Sequence, residues 1–541
     1  MKRLPCLAIV LLLAACSAPG PAPQSTSEAA ESTPPPPGTP RLVVQVVVDQ
    51  MRGDYVERFR PLLTGGLKQL VDESVWFTDA HHEHSETVTA AGHATVASGR
   101  FPANHGVIGN GWVSRETKKD VYCVEDPEHG RSPVTMLGDA FGDRLKDRYT
   151  EAKVFSFGGK DRSSILCGGH RSDGSYWYDR SVGQMTTSTY YASGRDGLPE
   201  WLDALHASKP LDRYFGTLWE PLRTLEEVAP FGIEPLDQGF RRRGFPYSLG
   251  GLGYEPDPSF YGSIYSTPFI DTFVVDVAKA AIENEELGAD EVPDFLSIAL
   301  SALDAVGHGY GPDSPEMLDT LLRVDRLLGE LFDFLDQTVG LEHVVLTLTS
   351  DHGVGTVPEL AASRGLGGGR FGPEQVQCMQ RAGKKLSEKY SMDELIFETA
   401  YVDHAAAEEM GLEPGEVARD VAAEVSQCRG IASAIVAADL RERGAKTELE
   451  RLLLNSWHDE RSPDVLLVLE SNWLATSTTA SHGTPYRYDT HVPWMVWSKT
   501  ATAAQPGERV ATADVMPTLA ALTDVDPGEV DGVDRSSFLA Q

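Results

Sequence analysis

Four stretches of strand length are almost wholly apolar and rich in β-branched residues, and each ends at a polar group. LVVQVVV (42–48) stops at Asp49, and VFSF (154–157) runs into Gly158-Gly159-Lys160-Asp161-Arg162. FLSIALSAL (295–303) stops at Asp304, and VVLTLT (344–349) stops at Ser350-Asp351-His352-Gly353. Unbroken apolar runs suit strands covered on both faces, which is the condition of a parallel sheet lying between helices. The intervening chain supplies such helices. In SPEMLDTLLRVDRLLGELFDFLDQ (314–337), Leu318, Leu321, Leu322, Leu328, Leu331 and Phe332 recur near helical spacing. The expected fold is α/β and doubly wound, with a mostly parallel central sheet flanked by helices.

In such sheets ligands bind outside the carboxyl ends of the strands. The four runs therefore aim Asp49, Lys160 with Arg162, Asp304, and Asp351 with His352 at one edge. A lone Asp after a strand is ordinarily a turn residue or a helix cap. Several together, two of them joined to histidines, are not explained that way: Asp304 and His308 stand four positions apart, and Asp351 adjoins His352. SHGTPYRYDTHVP (481–493) adds His482, with His491 nearby. Three carboxylates and three imidazoles suffice for two divalent ions, and mixed N and O donors favour zinc over magnesium. Two such ions about 3.5 to 4 Å apart can stabilise both the attacking and the leaving oxygen of an in-line displacement at phosphorus.

HSETVTAAGHATVASGR (84–100) places Thr87 and Thr89 just ahead of what reads as a small-residue helix. A helix N-terminus leaves N–H groups unpaired and favours an anion or a developing alkoxide, so one of the two threonines is a candidate nucleophile. Taken alone, the segment reads first as a capped, small-residue helix packed tightly on the sheet.

The chain opens with MKRLPCLAIVLLLAAC (1–16): Lys2 and Arg3, an apolar run, then small residues before Cys16. That is the pattern of a secretory signal, and its end resembles a bacterial lipobox with Cys16 as the lipidated residue. The run falls short of the ~20 residues that span a bilayer. Residues 17–40, rich in Pro, Ser, Ala and Glu, read as a disordered tether. The expected location is periplasmic or cell-surface, with the bacterial membrane touched only through the lipid anchor. A net charge of −33 argues against nucleic acid or an anionic membrane surface as the main partner. Anionic substrates stay open, because a bound metal reverses the local field. In an oxidising compartment Cys123, Cys167, Cys378 and Cys428 allow two disulfides in three connectivities.

VVVDQMRGDY, TVTAAGHATVASGRFPANHGVIGNGW, GGKDR, LDAVGHGYGP, TSDHG and HGTPYRYDTHVP follow one another within residues 43–497. In that order they resemble the alkaline phosphatase superfamily, most closely the bacterial phosphate-irrepressible alkaline phosphatases with a threonine nucleophile. Nucleotide pyrophosphatase/phosphodiesterases are more distantly similar. The resemblance implies a metal-dependent phosphomonoesterase with two zinc ions, manganese ranking behind zinc, and a covalent phosphothreonine intermediate. It implies Thr89 as nucleophile, with Asp49, Asp351, His352 and Thr89 on one metal and Asp304, His308 and His482 on the other. Asn110 would hydrogen-bond a phosphoryl oxygen, and Lys160 and Arg162 would contact the additional charged oxygen of a monoester dianion. The expected partners are small phosphate monoesters and no nucleic acid, and the chain is expected to be a monomer. The alkaline phosphatase-like catalytic domain would run over 41–541, with cap insertions at about 168–290 and 365–460, where nothing in the family's pattern matches.

His81, His82 and His84 fall off the matched positions and are expected in a polar loop before the helix. His93, His105 and His491 are expected to pack or to hydrogen-bond behind the ligands. The nearest alternative is a phosphodiesterase or nucleotide pyrophosphatase with the same two metals. A sulfatase lacks its C/S-x-P-x-R string here, and a phosphoglycerate-mutase-like enzyme would carry serine and manganese. A non-catalytic surface lipoprotein that binds metal or phosphate is the alternative from another class.

Overall fold

The computed structural model describes residues 34–192, 197–236, 244–390, 396–397 and 400–539. The expected signal peptide with Cys16, and residues 17–33 of the expected tether, lie outside the described residues.

Nine strands form the central sheet: β1 (Leu42–Val48), β2 (Val75–His81), β3 (Val154–Gly158), β4 (Gly174–Asp179), β5 (Gln184–Thr186), β6 (Asp294–Leu300), β7 (Val344–Thr349), β8 (His491–Ser498) and β9 (Arg509–Ala511). Their order is β9-β2-β8-β7-β1-β6-β3-β4-β5. β1 lies in the middle, parallel to β6 and β7, with Leu42 facing Asp294 on one side and Val344 on the other. β3 and β4 continue the parallel run, while β8 opposes both β7 and β2, and β5 opposes β4. Every residue of β1, β6 and β7 is buried, as unbroken apolar runs require.

Helices cover both faces: α1 (Thr89–Ser98), α2 (Asp161–Gly168), α3 (Phe269–Asn284), α4 (Ala302–Tyr310) and α5 (Pro315–Thr338). Along β1, Val44, Val46 and Val48 pack with Phe273 of α3 and Leu321 of α5. Val43 and Val47 point the other way, into a core shared with Ala90 of α1 and Ile165 of α2. The period-2 alternation of β1 thus feeds two cores, which is the doubly wound arrangement.

The third apolar run does not end where its composition suggests. β6 finishes at Leu300, and Ala302-Leu303 already belong to α4, so Asp304 sits in the first turn of a helix and not at a strand tip. Buried Asp271 of α3 fixes this boundary, because its Oδ1 accepts the N–H groups of Ser301 (2.8 Å) and Ala302 (3.0 Å).

Part of the first expected insertion belongs to the sheet and its flank, since β4, β5 and α3 fall within residues 168–290. The second, about 365–460, carries the helices Pro373–Tyr390 and Pro414–Val425 around a small core of its own that includes Leu386 and Val417. It packs on the segment before α1, where the Ser85 N–H donates to Ser456 Oγ at 2.7 Å. Cys378 and Cys428 are joined in a disulfide in this region, whereas Cys123 and Cys167 are buried free thiols. One bridge is therefore present where two were allowed; Cys167 instead lies in the core, with the Gln45 amide 3.5 Å from its sulfur.

Two glycines behave oppositely. A Cβ at Gly92 of α1 would lie 2.0 Å from the Asp351 carbonyl oxygen, so only glycine lets α1 approach the end of β7. At Gly383 a Cβ meets nothing within 4 Å. Gly92→Ala is expected to destabilise by about 3 kcal/mol or more, and Gly383→Ala, in a helix interior, to stabilise by up to about 1 kcal/mol. Denaturant midpoints of the two variants check the contrast.

Candidate active site

The carboxyl edge of the sheet gathers the expected residues. Asp49 follows β1, Asp351 follows β7, Lys160 follows β3, and Asp304 opens α4. Lys160 Nζ lies 2.5 Å from Asp49 Oδ2, 2.7 Å from Asp304 Oδ2 and 3.3 Å from Thr89 Oγ1. All of these side chains are buried.

Three imidazoles face the same carboxylates through Nε2. His308 Nε2 is 3.1 Å from Asp304 Oδ1, and His482 Nε2 is 3.6 Å from the same oxygen. His352 Nε2 is 3.5 Å from Asp49 Oδ1 and 3.4 Å from Asp351 Oδ2. The His352 and His482 rings stack at 3.5 Å. Each Nδ1 donates to a main-chain carbonyl: His308 to Ala480 (2.8 Å), His482 to Thr87 (2.9 Å) and His352 to Gly353 (2.9 Å). A carbonyl can only accept, so the proton sits on Nδ1 and the Nε2 lone pair is left for the centre.

Thr89 is the first residue of α1, at the end where the backbone amides are unpaired and a negative charge is favoured. Asn110 Oδ1 accepts the Ala90 N–H at 2.9 Å, which orients the amide beside that helix start. Thr87 is engaged elsewhere, its hydroxyl donating to the Thr484 carbonyl at 2.9 Å. Arg162 is half-buried beside the Tyr122 hydroxyl, its Nη1 at 3.3 Å, and its Nε has no hydrogen-bond partner. Lys160 and Arg162, close in sequence, thus have different neighbours.

The electrostatics are unbalanced. Burial, then the nearby Asp304 and Asp351 carboxylates, push the Asp49 carboxyl well above its ordinary range. Burial acts the same way on Asp304, but Lys160 and His308 outweigh it and hold that carboxyl well down. Asp351 is also held low, burial being outweighed by His352 and His93. Burial, helped by His352, keeps the His482 imidazole well below its usual pKa and therefore neutral. Asp49 Oδ1 and His352 Nε2 are buried without a hydrogen-bond partner. Among the described residues, Asp49, Asp351 and His352, and likewise Asp304, His352 and His482, each offer ligand atoms within 4.8 Å of one another. Partnerless carboxyl oxygens facing imidazole lone pairs fit divalent cations of the zinc type. His352 belongs to both groups.

Some of the site was not anticipated. His81 ends β2, and His82 and His84 lie in the loop before α1, but all three are buried and not in a solvated polar loop. His82 is held by long-range partners, Nε2 donating to the Ser350 carbonyl at 2.9 Å and Nδ1 accepting from Thr512 Oγ1 at 2.9 Å. His93 stands behind the ligands, with Nδ1 2.9 Å from the Thr89 carbonyl and 3.2 Å from Asp351 Oδ2. Gln50 was missed altogether. It sits at φ 68°, its N–H donates to Asp351 Oδ1 (3.1 Å), and its Nε2 donates to Asp304 Oδ1 (2.6 Å). Its neighbour Gly307 leaves the room, since a Cβ there would lie 1.9 Å from Gln50 Oε1.

With this geometry in place, comparison with known proteins places the chain among phosphoryl-ester hydrolases. The family profile of type I phosphodiesterase / nucleotide pyrophosphatase matches residues 43–493. Alkaline phosphatase PhoV of Synechococcus elongatus is 31% identical over 513 residues, 90% of each chain. A protein of Myroides odoratus named calcium-transporting ATPase is 29% identical over 90% of this chain and 92% of its own. A crystal structure of wild-type alkaline phosphatase PafA superposes with a TM-score of 0.83 at 26% identity, covering 93% of this chain and 99% of that one. The α/β fold with its large flanked sheet is that of PafA.

Asp271, which fixes the start of α4, gives a test of the scaffold. Burial pushes its carboxyl up to about 7 against the pull of its two backbone donors, and Oδ2 has no partner. Because the folded-state pKa lies above the unfolded one, the folded form binds the extra proton, and wild-type stability falls as pH rises from about 4 through 7. Asp271→Asn keeps the Oδ1 acceptor and removes the titration. Its stability relative to wild type should therefore rise by a few kcal/mol over that window and then level off, as urea unfolding at successive pH values will read.

Proposed function

Since this chain belongs to the type I phosphodiesterase / nucleotide pyrophosphatase family, we propose that within it the protein is a phosphatase that hydrolyses small phosphate monoesters through Thr89. The observation that carries this reading is the position of Thr89 Oγ1, at a helix N-terminus, 3.3 Å from the Lys160 ammonium beside Asp49, Asp304, Asp351, His352 and His482, with His308 on Asp304. Relatives that match nine-tenths of the chain and are named alkaline phosphatases support it.

Asp49, Asp351 and His352, with Thr89, would hold one divalent ion, and Asp304, His308 and His482 a second. The mixed donor set favours zinc over manganese. When bound, such ions supply Lewis acidity at the attacking and departing oxygens. The chain's own residues do the rest. Thr89 Oγ1 bonds to phosphorus, the ester oxygen departs as an alcohol, and water then cleaves the phosphothreonine to inorganic phosphate and restores the hydroxyl. The first-turn amides of α1 and the Asn110 amide favour the negative oxygens of that transition state. Lys160 and Arg162 recognise the oxygen that a monoester dianion has and a diester lacks.

A diesterase is the second reading, favoured by the family's description. Lys160 beside Thr89 weighs against it. Among the described residues no helix is long and apolar enough to cross a membrane. We also take the chain to be exported and anchored through Cys16, with residues 41–541 as one catalytic domain acting as a monomer. The Cys378–Cys428 disulfide accords with an oxidising compartment.

Thr89→Ala is expected to abolish turnover of an aryl phosphate, with Thr87→Ala far milder, and mass spectrometry of acid-quenched enzyme should find the trapped phosphate on Thr89. Swapped effects would reverse the choice of nucleophile. Lys160→Ala with Arg162→Ala should lower kcat/KM for the aryl phosphate by about 10- to 100-fold per lost contact, and for the matching diester only slightly. Equal losses on both substrates would transfer the assignment to the diesterase reading.

A further inference from the structure

We propose that Asp79, His81 and His491 form a further zinc site, with two imidazoles and one carboxylate as ligands and a fourth position open to water. It shares no residue with the central cluster and does not rest on the reading of that cluster as catalytic.

The two histidines are brought together by strand pairing. His81 of β2 and His491 of β8 are direct register partners, and their rings lie 5.0 Å apart. Asp79 is two residues before His81 and on the same side of β2, beside an irregularity in the ladder between Phe77 and Ala80. One ligand atom from each of the three lies within 4.8 Å of the others.

The hydrogen bonds set both tautomers for metal binding. His491 Nε2–H donates to the Thr78 carbonyl at 2.9 Å, which leaves the lone pair on Nδ1. His81 Nδ1 is 3.2 Å from Thr490 Oγ1, while its Nε2 is 3.0 Å from Arg487 Nη1 and 3.1 Å from Asp79 Oδ1. A guanidinium N–H can only donate, so His81 Nε2 acts there as an acceptor. A lone pair and a carboxylate oxygen thus face each other, with Arg487 as the cation that reconciles them; Arg487 also contacts Asp79 Oδ1 at 3.0 Å. Ligand bonds of 2.0–2.1 Å in a tetrahedron separate neighbouring ligand atoms by about 3.3 Å, close to the 3.1 Å spacing of His81 Nε2 and Asp79 Oδ1.

Access and consequence follow from the surroundings. The Arg487 side chain is 63% exposed and can swing into solvent, and Asp79 is 33% exposed. Gly53 lies over the His491 ring, where a Cβ would come within 2.5–2.7 Å of three ring atoms, and its N–H donates to the His491 carbonyl at 2.9 Å. An ion here ties β2 to β8 and steadies the loop that follows Asp49.

The test is zinc uptake by the full chain in buffered free zinc, counted by elemental analysis. Wild type is expected to take up one more ion per chain than Asp79→Asn at the same free zinc. Arg487→Gln should half-fill that extra ion at about tenfold lower free zinc, as removal of a competing cation predicts. Equal uptake by wild type and folded Asp79→Asn overturns the proposal. If circular dichroism finds Asp79→Asn unfolded, Arg487→Gln decides: tighter uptake upholds the site, and unchanged uptake overturns it. Asp49→Asn, which disturbs only the central cluster, should keep the extra ion, so failure here and failure of the catalytic reading stay separate.

Discussion

Three buried carboxylates share one ammonium group, and the rest of the site is arranged around that imbalance. Asp49, Asp304 and Asp351 converge at the sheet edge, and Lys160 is the lysine among them. An ionised carboxylate in a low-dielectric interior is costly unless it is paired and hydrogen-bonded. The pairing is only partial: Lys160 satisfies Asp304, His352 and His93 hold Asp351, and Asp49 is left with the raised pKa. Divalent cations complete the balance, which is why the donor set reads as a metal centre even before any relative is considered.

Such a cluster can be held only by elements that do not yield. Asp49 and Asp351 stand at the ends of strands buried on both faces, and β1 and β7 are locked side by side by parallel pairing from Leu42 to Val47. Asp304 and His308 lie four apart on α4, one turn of one face, and the start of that helix is pinned by Asp271. Gly92 and Gly307 act by absence of a side chain, one letting α1 touch Asp351 and the other admitting Gln50.

The parts legible in the sequence are those where one local signal settles the structure. β1, β3 and β7 were readable because an apolar run ending in a polar residue leaves little alternative. The end of β6 was not, because Ala302-Leu303 are as apolar as the strand before them and the switch to a helix depends on a carboxylate thirty residues upstream. Asp49 and Asp351 with His352 come together because they follow neighbouring strands, and Asp304 with His308 because they lie four apart on α4, whereas His482 is brought beside them by the loop before β8. His82 and Gln50 could not be read, since their partners Ser350, Thr512, Asp304 and Asp351 lie hundreds of residues away. β8 was also missed: it runs antiparallel within a mostly parallel sheet and carries Pro493, so it lacks the signature of its neighbours. The segment that misled most, HHEH, is polar in composition yet buried, with His82 held by hydrogen bonds to the distant Ser350 and Thr512.

Main-chain carbonyls direct the three imidazoles of the central cluster and His491 of the second, but the two clusters differ in how their own cation is held. Lys160 is 7% exposed and bonded to two buried carboxylates, so it cannot leave without uncovering charge. Its contacts must be exchanged for a cation or an anionic ligand at the same place, which couples occupancy of the centre to the position of the ammonium. Arg487 sits at the rim, and solvent can replace each of its contacts. The same chemistry of imidazole and carboxylate therefore gives a guarded centre where the cationic side chain is buried and an exchangeable one where it is exposed.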